Sequence, residues 1–586
     1  MPKSANDRTI ENVRHTLAHL LACAVLDLRP GAKLGIGPII ENGFYYDFDL
    51  KKSLTPEDLP GLEKRMRELI KQNLKVMGSK VTPASARKLF RDQPYKLDLI
   101  KDFVKEKQQL TVYKLGNIFS DLCKGGHVKS TKEINPDAFK LTHLAGAYWK
   151  GDEKNAQLQR VYGVAFETKK ELDNFFWQEE EAKKRDHRKL GQELDLFTFS
   201  ELIGPGLPLF TPKGTVLRDL LDDFVWSLRK KYGYQKVDIP HITKKNLYET
   251  SGHWGKFKNE LFRIDTREGH EFALKPMNCP YHIQIFARRK WSFRDLPQRY
   301  ASTTKIYRDE QVGELLGLVR VRSITQDDAH VFCDRARVES ELKNVWEIVH
   351  EFYGAFGLPL KLRLSLRDPK QPNKYLGDEN LWKDAENILS AVADKKIGSG
   401  KYERAHGEAA FYGPKLDFMA TDTLGREWQV ATIQLDLNMP KRFNLTFTND
   451  DGGQSQVFMI HAAIMGSIER FLAVLIEHYA GAFPAWLSPV QVQVIAVSDK
   501  FQSYAGKVAD ELKAVGIRTE LTEANETLGK RIREGEIQKI PYLLIVGEKE
   551  KKTATVAVRK RGKGDMGAIK LSTFIKSLNT EIIKRK

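Results

Sequence analysis

Cysteine is scarce in this chain: only four occur in 586 residues, at Cys23, Cys123, Cys279 and Cys333. They are too few and too far apart to staple a chain of this size, so a reducing compartment is expected and each thiol needs its own explanation. The ordinary explanation is a small buried hydrophobe. Long apolar runs are missing as well; none approaches the roughly 18 residues that a membrane span needs. The polar start, MPKSANDRTIENVR, followed by the short apolar stretch 20–26, does not fit a secretory signal. No fixed-period repeat and no long low-complexity tract occurs.

What is present is the composition of a globular protein, with 41% hydrophobic, 29% charged and 10% aromatic residues, which excludes disordered and collagen-like classes. At about 150 residues per domain, the length suggests about four units. Lysine and arginine (95) outnumber aspartate and glutamate (77), for a net charge of +18 and a pI near 9.3. Such a balance favours a polyanionic partner, nucleic acid or an anionic surface.

Two boundaries can be read from changes in pattern. Residues 178–189, QEEEAKKRDHRK, are almost wholly charged and read as a solvated connecting helix. The second lies near Phe483 to Pro489, where an amphipathic helix ends and a β-branched run begins at Val490. Beyond it the pattern predicts strands at 490–498, 517–524, 541–546 and 553–559. Helices are predicted at 501–515 and 527–538, with a closing helix, giving a small α/β domain with a mixed sheet. In the middle region, 300–307 and 320–325 alternate and read as an antiparallel pair.

Residues at even spacing share a strand face, so Arg308 and Glu310 are expected together, as are Arg320 and Arg322. An arginine aimed at phosphate and a carboxylate aimed at an exocyclic amine would hold a nucleotide, although an exposed ion-paired strand is the commoner meaning of Arg-Asp-Glu. A second segment shifts that balance. Residues 457–471 read as a strand running into a helix, with Ile464, Ile468, Phe471 and Leu475 as an apolar stripe. Gly466 permits close packing there, and Arg470 lies off the stripe. A third piece, Tyr234 to Pro240, reads as a strand ended by proline.

These three segments, in this order, resemble the class II aminoacyl-tRNA synthetases, and the bacterial-type threonyl enzymes most closely. The resemblance runs from about residue 9 to the end. It passes through Ser251-Gly252-His253-Trp254, 274–280 (LKPMNCP), 325–330 (TQDDAH), 411–415 (FYGPK), Trp428-Gln429 and Gln434-Leu435-Asp436. It implies an α+β multidomain fold with an N-terminal α+β editing domain (1–177), a linker helix (178–192), an antiparallel-sheet catalytic core (193–486) and a C-terminal α/β anticodon-binding domain (487–586). It also implies a cytoplasmic homodimer, with dimerisation around Pro240 and no membrane attachment. The activity implied is ATP-dependent activation of L-threonine and its transfer to tRNA(Thr). The alternative is an RNA-binding regulator that has kept the fold and lost turnover.

Residue by residue, the resemblance places Arg308, Arg320 and Arg470 on the phosphates of ATP, which binds with magnesium, and Glu310 on adenine. Gln429, Gln434 and Ser467 join the nucleotide site. Met277, Gln326, Asp328, Tyr412, Lys415 and Gln429 surround the amino acid, with Lys415 also among the catalytic residues. Cys279, His330 and His461 match zinc ligands. They lie 51 and 131 residues apart, so spacing alone would not join them, but one thiolate and two imidazoles leave tetrahedral zinc an open position. A site that requires a hydroxyl rejects valine, whereas serine lacks only a methyl, worth roughly 1–3 kcal/mol, and must be removed elsewhere.

For that removal the first region offers His15 and His19, one helical turn apart, with Cys123 and His127. On chemistry alone the quartet looks like a zinc site, and the absence of Glu at position 16 argues against a metalloprotease. The resemblance instead implies a hydrolytic editing pocket for seryl-tRNA with no required metal, joined by Tyr46, Lys96 and Asp121. In the last region Asn525, Glu550 and Arg559 match base-contacting positions, and residues 559–563 (RKRGK) add charge for the phosphate backbone. Two departures stand out: the family's usual N-terminal ubiquitin-like domain is expected to be absent, and Ala462 follows His461 where arginine is common.

Overall fold

In the computed structural model, which describes residues 5–585, chain contacts divide the molecule into two units at Glu180/Glu181. In the first unit the helix Ala5–Leu28 buries Leu17, Leu20, Leu21 and Ala24 completely or nearly so. That i, i+3, i+4, i+7 stripe is the core face of an amphipathic helix, and each buried leucine stabilises by roughly 1.5–3 kcal/mol. The stripe packs in one cluster with Phe44, Tyr46 and Phe48 of the strand Gly43–Asp49. Their alternation sends all three to one sheet face. The antiparallel sheet runs Lys33–Leu34, Gly43–Asp49, Gln157–Ala165, Phe139–Tyr148. A smaller sheet, Val76–Lys80, Thr111–Leu115 and Phe119–Leu122, ends immediately before Cys123.

The charged run after residue 177 is not one solvated helix. It is divided between Lys169–Arg185 and His187–Glu193, with the joint at Asp186. The Asp186 carboxylate accepts from Arg188 N at 2.8 Å and so caps the second helix. Beyond the joint His187 and Leu190 are buried, which a reading of charge density could not show.

In the second unit, after His187–Glu193 and two short strands, comes the helix Pro212–Lys231. It is started by Thr211, whose hydroxyl accepts from Gly214 N, and by proline at the first helical position. An eight-stranded sheet follows, in the order Gln235–Lys236, Gln298–Tyr307, Ser323–Cys333, Phe458–Ser467, Glu427–Asp436, Lys415–Thr421, Leu360–Leu366, Glu403–His406. Only the outermost pairing at each end is parallel. Val331 and Phe332 are neighbours in sequence yet enter different hydrophobic clusters, so both sheet faces are covered.

Three expectations change here. The strand at 234–240 shrinks to Gln235–Lys236. Arg308 and Glu310 lie beyond the end of Gln298–Tyr307, and Arg320 and Arg322 precede Ser323–Cys333, so a loop, not an alternating strand face, presents all four. Ile464 belongs to the strand, and the helix Ile468–His478 begins only after Gly466, whose φ of +69° turns the chain; a Cβ there would meet Val430 O at 3.3 Å.

The C-terminal sheet runs Thr519–Thr522, Val492–Ala496, Tyr542–Val546, Thr555–Lys560, Gly564–Lys570, the first three parallel and the rest antiparallel. The last strand was not anticipated, because GDMGAIK carries little apolar alternation. The helix Leu571–Ile583 closes the domain.

Candidate active site

A cleft of about 640 Å³ opens on the catalytic sheet, lined by Arg308, Glu310, Arg320, Gln326, Ser467 and Arg470. Gln429 and Thr432 complete one wall. Residues from four separated stretches of sequence thus meet in one place. Arg308 has no carboxylate partner among the described residues: Nη2 donates to Met277 Sδ at 3.2 Å, and Nε is buried without a hydrogen-bond partner. Burial pulls its pKa below the usual guanidinium value, while Glu260 and Glu310 oppose that pull. Gln326 Oε1 and Thr432 Oγ1, on the same cleft, are also buried and unpartnered. Buried polar atoms are nearly always paired, so these three mark where a polar ligand would be received.

The other side of the cleft is already paired. Arg320 Nη2 lies 2.7 Å from Glu310 Oε2 and 3.2 Å from Glu314, so the residues matched to phosphate and adenine here bind each other. Ser467 caps the helix Ile468–His478 by accepting from Arg470 N, leaving the exposed Arg470 side chain at the rim. Behind them, Glu469 accepts from Thr325 N at 2.8 Å and from Thr325 Oγ1 at 2.6 Å, fastening that helix to the central strand.

Lys415 and Gln429 converge on Asp417, at 3.0 and 2.9 Å. Gln434 accepts from Tyr412 OH at 2.5 Å, and the Tyr412 ring stacks on His461, with centroids 4.8 Å apart. Asp328 accepts from Asn278 Nδ2 at 3.2 Å. Burial lifts its carboxyl to about 6, against the opposing pull of His461 and Asn278.

Cys279, His330 and His461 come together, each buried, with their donor atoms within 4.8 Å of one another. His330 Nε2 and His461 Nδ1 face each other at 3.0 Å. The outer nitrogens are occupied: His461 Nε2 meets Asp436 Oδ2 at 2.9 Å, and His330 Nδ1 meets His282 Nδ1 at 2.8 Å. His282 Nε2 lies 3.1 Å from Ser302 Oγ. Outer partners of this kind fix ring orientation and leave the inner nitrogens free as ligands, so the set fits a thiolate-imidazole metal site. Asp436 and His282 were not anticipated. The signal for His282 was its place three residues after Cys279, on the same helix, Cys279–Ala287.

Comparison with known proteins decides the family. Residues 262–479 match the class II tRNA synthetase core domain (G, H, P, S and T), 491–581 the anticodon binding domain, and 110–162 the threonyl and alanyl tRNA synthetase second additional domain. The chain is 47% identical to a threonine–tRNA ligase of Gloeobacter violaceus, covering 100% of this chain and 94% of that one. Against that of Thermus thermophilus it is 46% identical, covering 98% and 89%. The chain belongs to the threonyl-tRNA synthetase family.

Among solved structures, the RNA binding domain of threonyl-tRNA synthetase from Cryptosporidium parvum matches with a TM-score of 0.65 and 37% identity, over 68% of this chain and 98% of that one. A Giardia lamblia prolyl-tRNA synthetase shares the fold at 16% identity and a TM-score of 0.55. The match to the catalytic core domain and the identity to threonine–tRNA ligases along the whole chain favour the enzyme reading over that of a regulator without turnover. Among the described residues, no helix of this synthetase is long and apolar enough to cross a membrane.

The synthetase's first unit gathers its own cluster. Cys123 Sγ lies 3.3 Å from His15 Nε2 and 3.2 Å from His127 Nε2, and the His15 and His127 rings stack at 4.1 Å. Burial drives His127 down to about 2, lowers His15 and His19, and raises the Cys123 thiol to about 11, so all four side chains are neutral near pH 7. Thr16, which the sequence did not single out, places Oγ1 3.2 Å from His127 Nδ1. Tyr46, Lys96 and Asp121 form a buried network beside them: Lys96 Nζ reaches Asp121 Oδ1 at 2.5 Å and Tyr46 OH at 3.0 Å, and Tyr46 donates to Asp121 at 2.5 Å.

In the anticodon-binding domain, Arg559 pairs with Glu536 at 3.2 Å and lines a cleft of about 250 Å³ with Lys560 and Arg561. Glu550 accepts from Gly547 N at 2.9 Å. Asn525 is exposed on the turn before the helix Leu528–Ile537.

Proposed function

We propose that this synthetase activates L-threonine with ATP and transfers it to tRNA(Thr), working as a cytoplasmic homodimer, and clears seryl-tRNA in its first unit. What carries the reading is the meeting of Arg308, which has no carboxylate partner and a buried, unpartnered Nε, with two buried polar atoms in one cleft, next to a thiol-imidazole cluster. Arg308 stabilises charge that develops at the α-phosphate when the threonine carboxylate attacks, and Arg470 at the rim receives the departing pyrophosphate with its magnesium. The donor Nε of Arg308 has no competing acceptor to release first. Arg320 serves on either side of this step: it pairs with Glu310 here, and both charges stand in the cleft for phosphate and adenine.

Gln326 and Asp328 orient the amino acid, and Tyr412, stacked on His461, closes the pocket against water. A zinc ion held by Cys279, His330 and His461 would supply a coordination site that requires the amine and hydroxyl of threonine. Asp436 and His282 hold the two imidazoles in the ligating tautomer. No protein nucleophile is needed, because the carboxylate of the amino acid and then the terminal ribose are the nucleophiles.

In the first unit, hydrolysis of the seryl ester takes one water, with a neutral imidazole as general base. The Lys96–Asp121–Tyr46 network holds the wall of that pocket. Anticodon recognition falls to the C-terminal domain, with Arg559 lining its cleft and Asn525 and Glu550 as the other base-contacting residues. The short, exposed edge strand Gln235–Lys236 supports dimerisation through that end of the sheet.

Metal analysis combined with threonine-dependent ATP–pyrophosphate exchange tests the reading. One zinc per chain is expected, and Cys279→Ala should lose both metal and exchange. Full exchange by metal-free protein would contradict it.

A further inference from the structure

The charged run that looks solvated in sequence hides a buried histidine. His187 is 3% exposed. Its Nδ1 lies 2.7 Å from Glu477 Oε1, and Leu318 N–H donates to its Nε2 at 3.1 Å. Since Nε2 accepts, Nδ1 carries the proton and donates to the carboxylate. Glu477 is further held by Arg426 at 2.6 Å and by His187 N at 3.1 Å.

These two contacts lead to two different segments that line one cleft. Glu477 sits in the last turn of Ile468–His478, the helix whose first turn brings Ser467 and Arg470 into the cleft. Leu318 immediately precedes Val319 and Arg320, which line the same cleft. Gly317 adds a close approach: its φ is +48°, and a Cβ there would stand 2.2 Å from His187 Nε2. Asp186, His187 and Glu477 also lie close enough together to suggest a metal site. Asp186, however, is committed to Arg188, and both ring nitrogens of His187 are in use, so no free imidazole donor remains.

We propose that His187 is a positioning residue for amino-acid activation: one imidazole ties the helix bearing Arg470 to the loop bearing Arg320 and sets the width of the cleft between them. It opens the helix His187–Glu193 directly after the joint at Asp186. The proposal rests on the reading of this cleft as the ATP site.

ATP–pyrophosphate exchange by the full-length chain tests it, with ATP and threonine varied separately. His187→Ala should raise the KM for ATP at least fivefold and leave that for threonine within twofold. His187→Gln, whose amide reaches toward Leu318, and His187→Asn, whose amide reaches toward Glu477, should each recover part of the loss. Gly317→Ala, which presses on an intact His187, should raise the KM for ATP by itself and carries the test if His187→Ala does not fold. Combining Gly317→Ala with His187→Ala should be less than additive, because the contact with the ring is relieved and only that with Arg188 Cγ, at 2.8 Å, and the backbone strain remain. ATP constants within twofold of the parent in both single variants, or ATP and threonine constants moving in parallel, would overturn the proposal. A parent chain without exchange would instead overturn the reading of the cleft.

Discussion

His330 and His461 are register partners on adjacent antiparallel strands, and their inner nitrogens face each other at 3.0 Å. Two bare nitrogens so close repel unless a proton or a cation lies between them. Tetrahedral coordination at Zn–N distances of about 2.0–2.1 Å would need a separation near 3.3 Å, a few tenths of an ångström more than is observed.

Asp436 is the partner that aims His461, at 2.9 Å from Nε2. Asp436→Asn is expected to weaken zinc binding about 10- to 100-fold, the usual effect of removing such a partner. Competition with a chromophoric chelator measures it; an unchanged affinity would show that the strand alone orients the ring.

Arg308 offers the cleft a charge with no carboxylate to neutralise it. Its contribution should be greatest in the transition state, so Arg308→Ala is expected to lower kcat of activation by about 10²- to 10³-fold, with a much smaller rise in the KM for ATP. A variant that changes only KM would place Arg308 in ground-state binding.

The cluster in the first unit is chemically separate from activation. His15→Ala combined with His19→Ala is expected to leave threonine charging within about twofold of the parent and to let seryl-tRNA accumulate. If seryl-tRNA is cleared at the parental rate, those histidines are structural.

The same cluster makes the first unit sensitive to acid. In the folded chain, burial puts His127 at about 2 and lowers His15 and His19; unfolded, each returns to about 6.5. Below pH 6.5 the unfolded chain therefore binds more protons, and stability falls with pH by up to about 1.4 kcal/mol per unit for each histidine. Above that pH the contribution is flat. Hydrogen exchange in the helix Ala5–Leu28, corrected for intrinsic rates, should lose protection between pH 7 and 5.5. Constant protection would contradict the neutral, buried state of the cluster.

The sequence revealed elements best where the apolar period was strong. Helices 502–514 and 528–537 and strands 492–496 and 542–546 lie within two residues of expectation at either end. It failed where tertiary packing overrides composition. Gly564–Lys570 is a strand because it pairs with Thr555–Lys560, not because of its own pattern, and His187 is buried within a charged run. Cys279, His330 and His461 could be joined only through family resemblance, because one helix and two strands, far apart in sequence, bring them together. Asp436, beside His461, leaves no periodic trace, whereas His282 stands three residues after Cys279 on one helix. Glu310 and Arg320 were each singled out in the sequence, but their mutual ion pair is a property of two loops folded against each other.

The central claim is that one pocket demands a hydroxyl and a second removes the smaller hydroxyl amino acid. Side-by-side assays of activation and tRNA charging with threonine, serine and valine test it most directly. The account predicts that threonine is activated and charged, valine is not activated, and serine is activated without accumulating as seryl-tRNA. Activation of valine at a rate comparable to threonine, or stable seryl-tRNA from the unmodified chain, would contradict it.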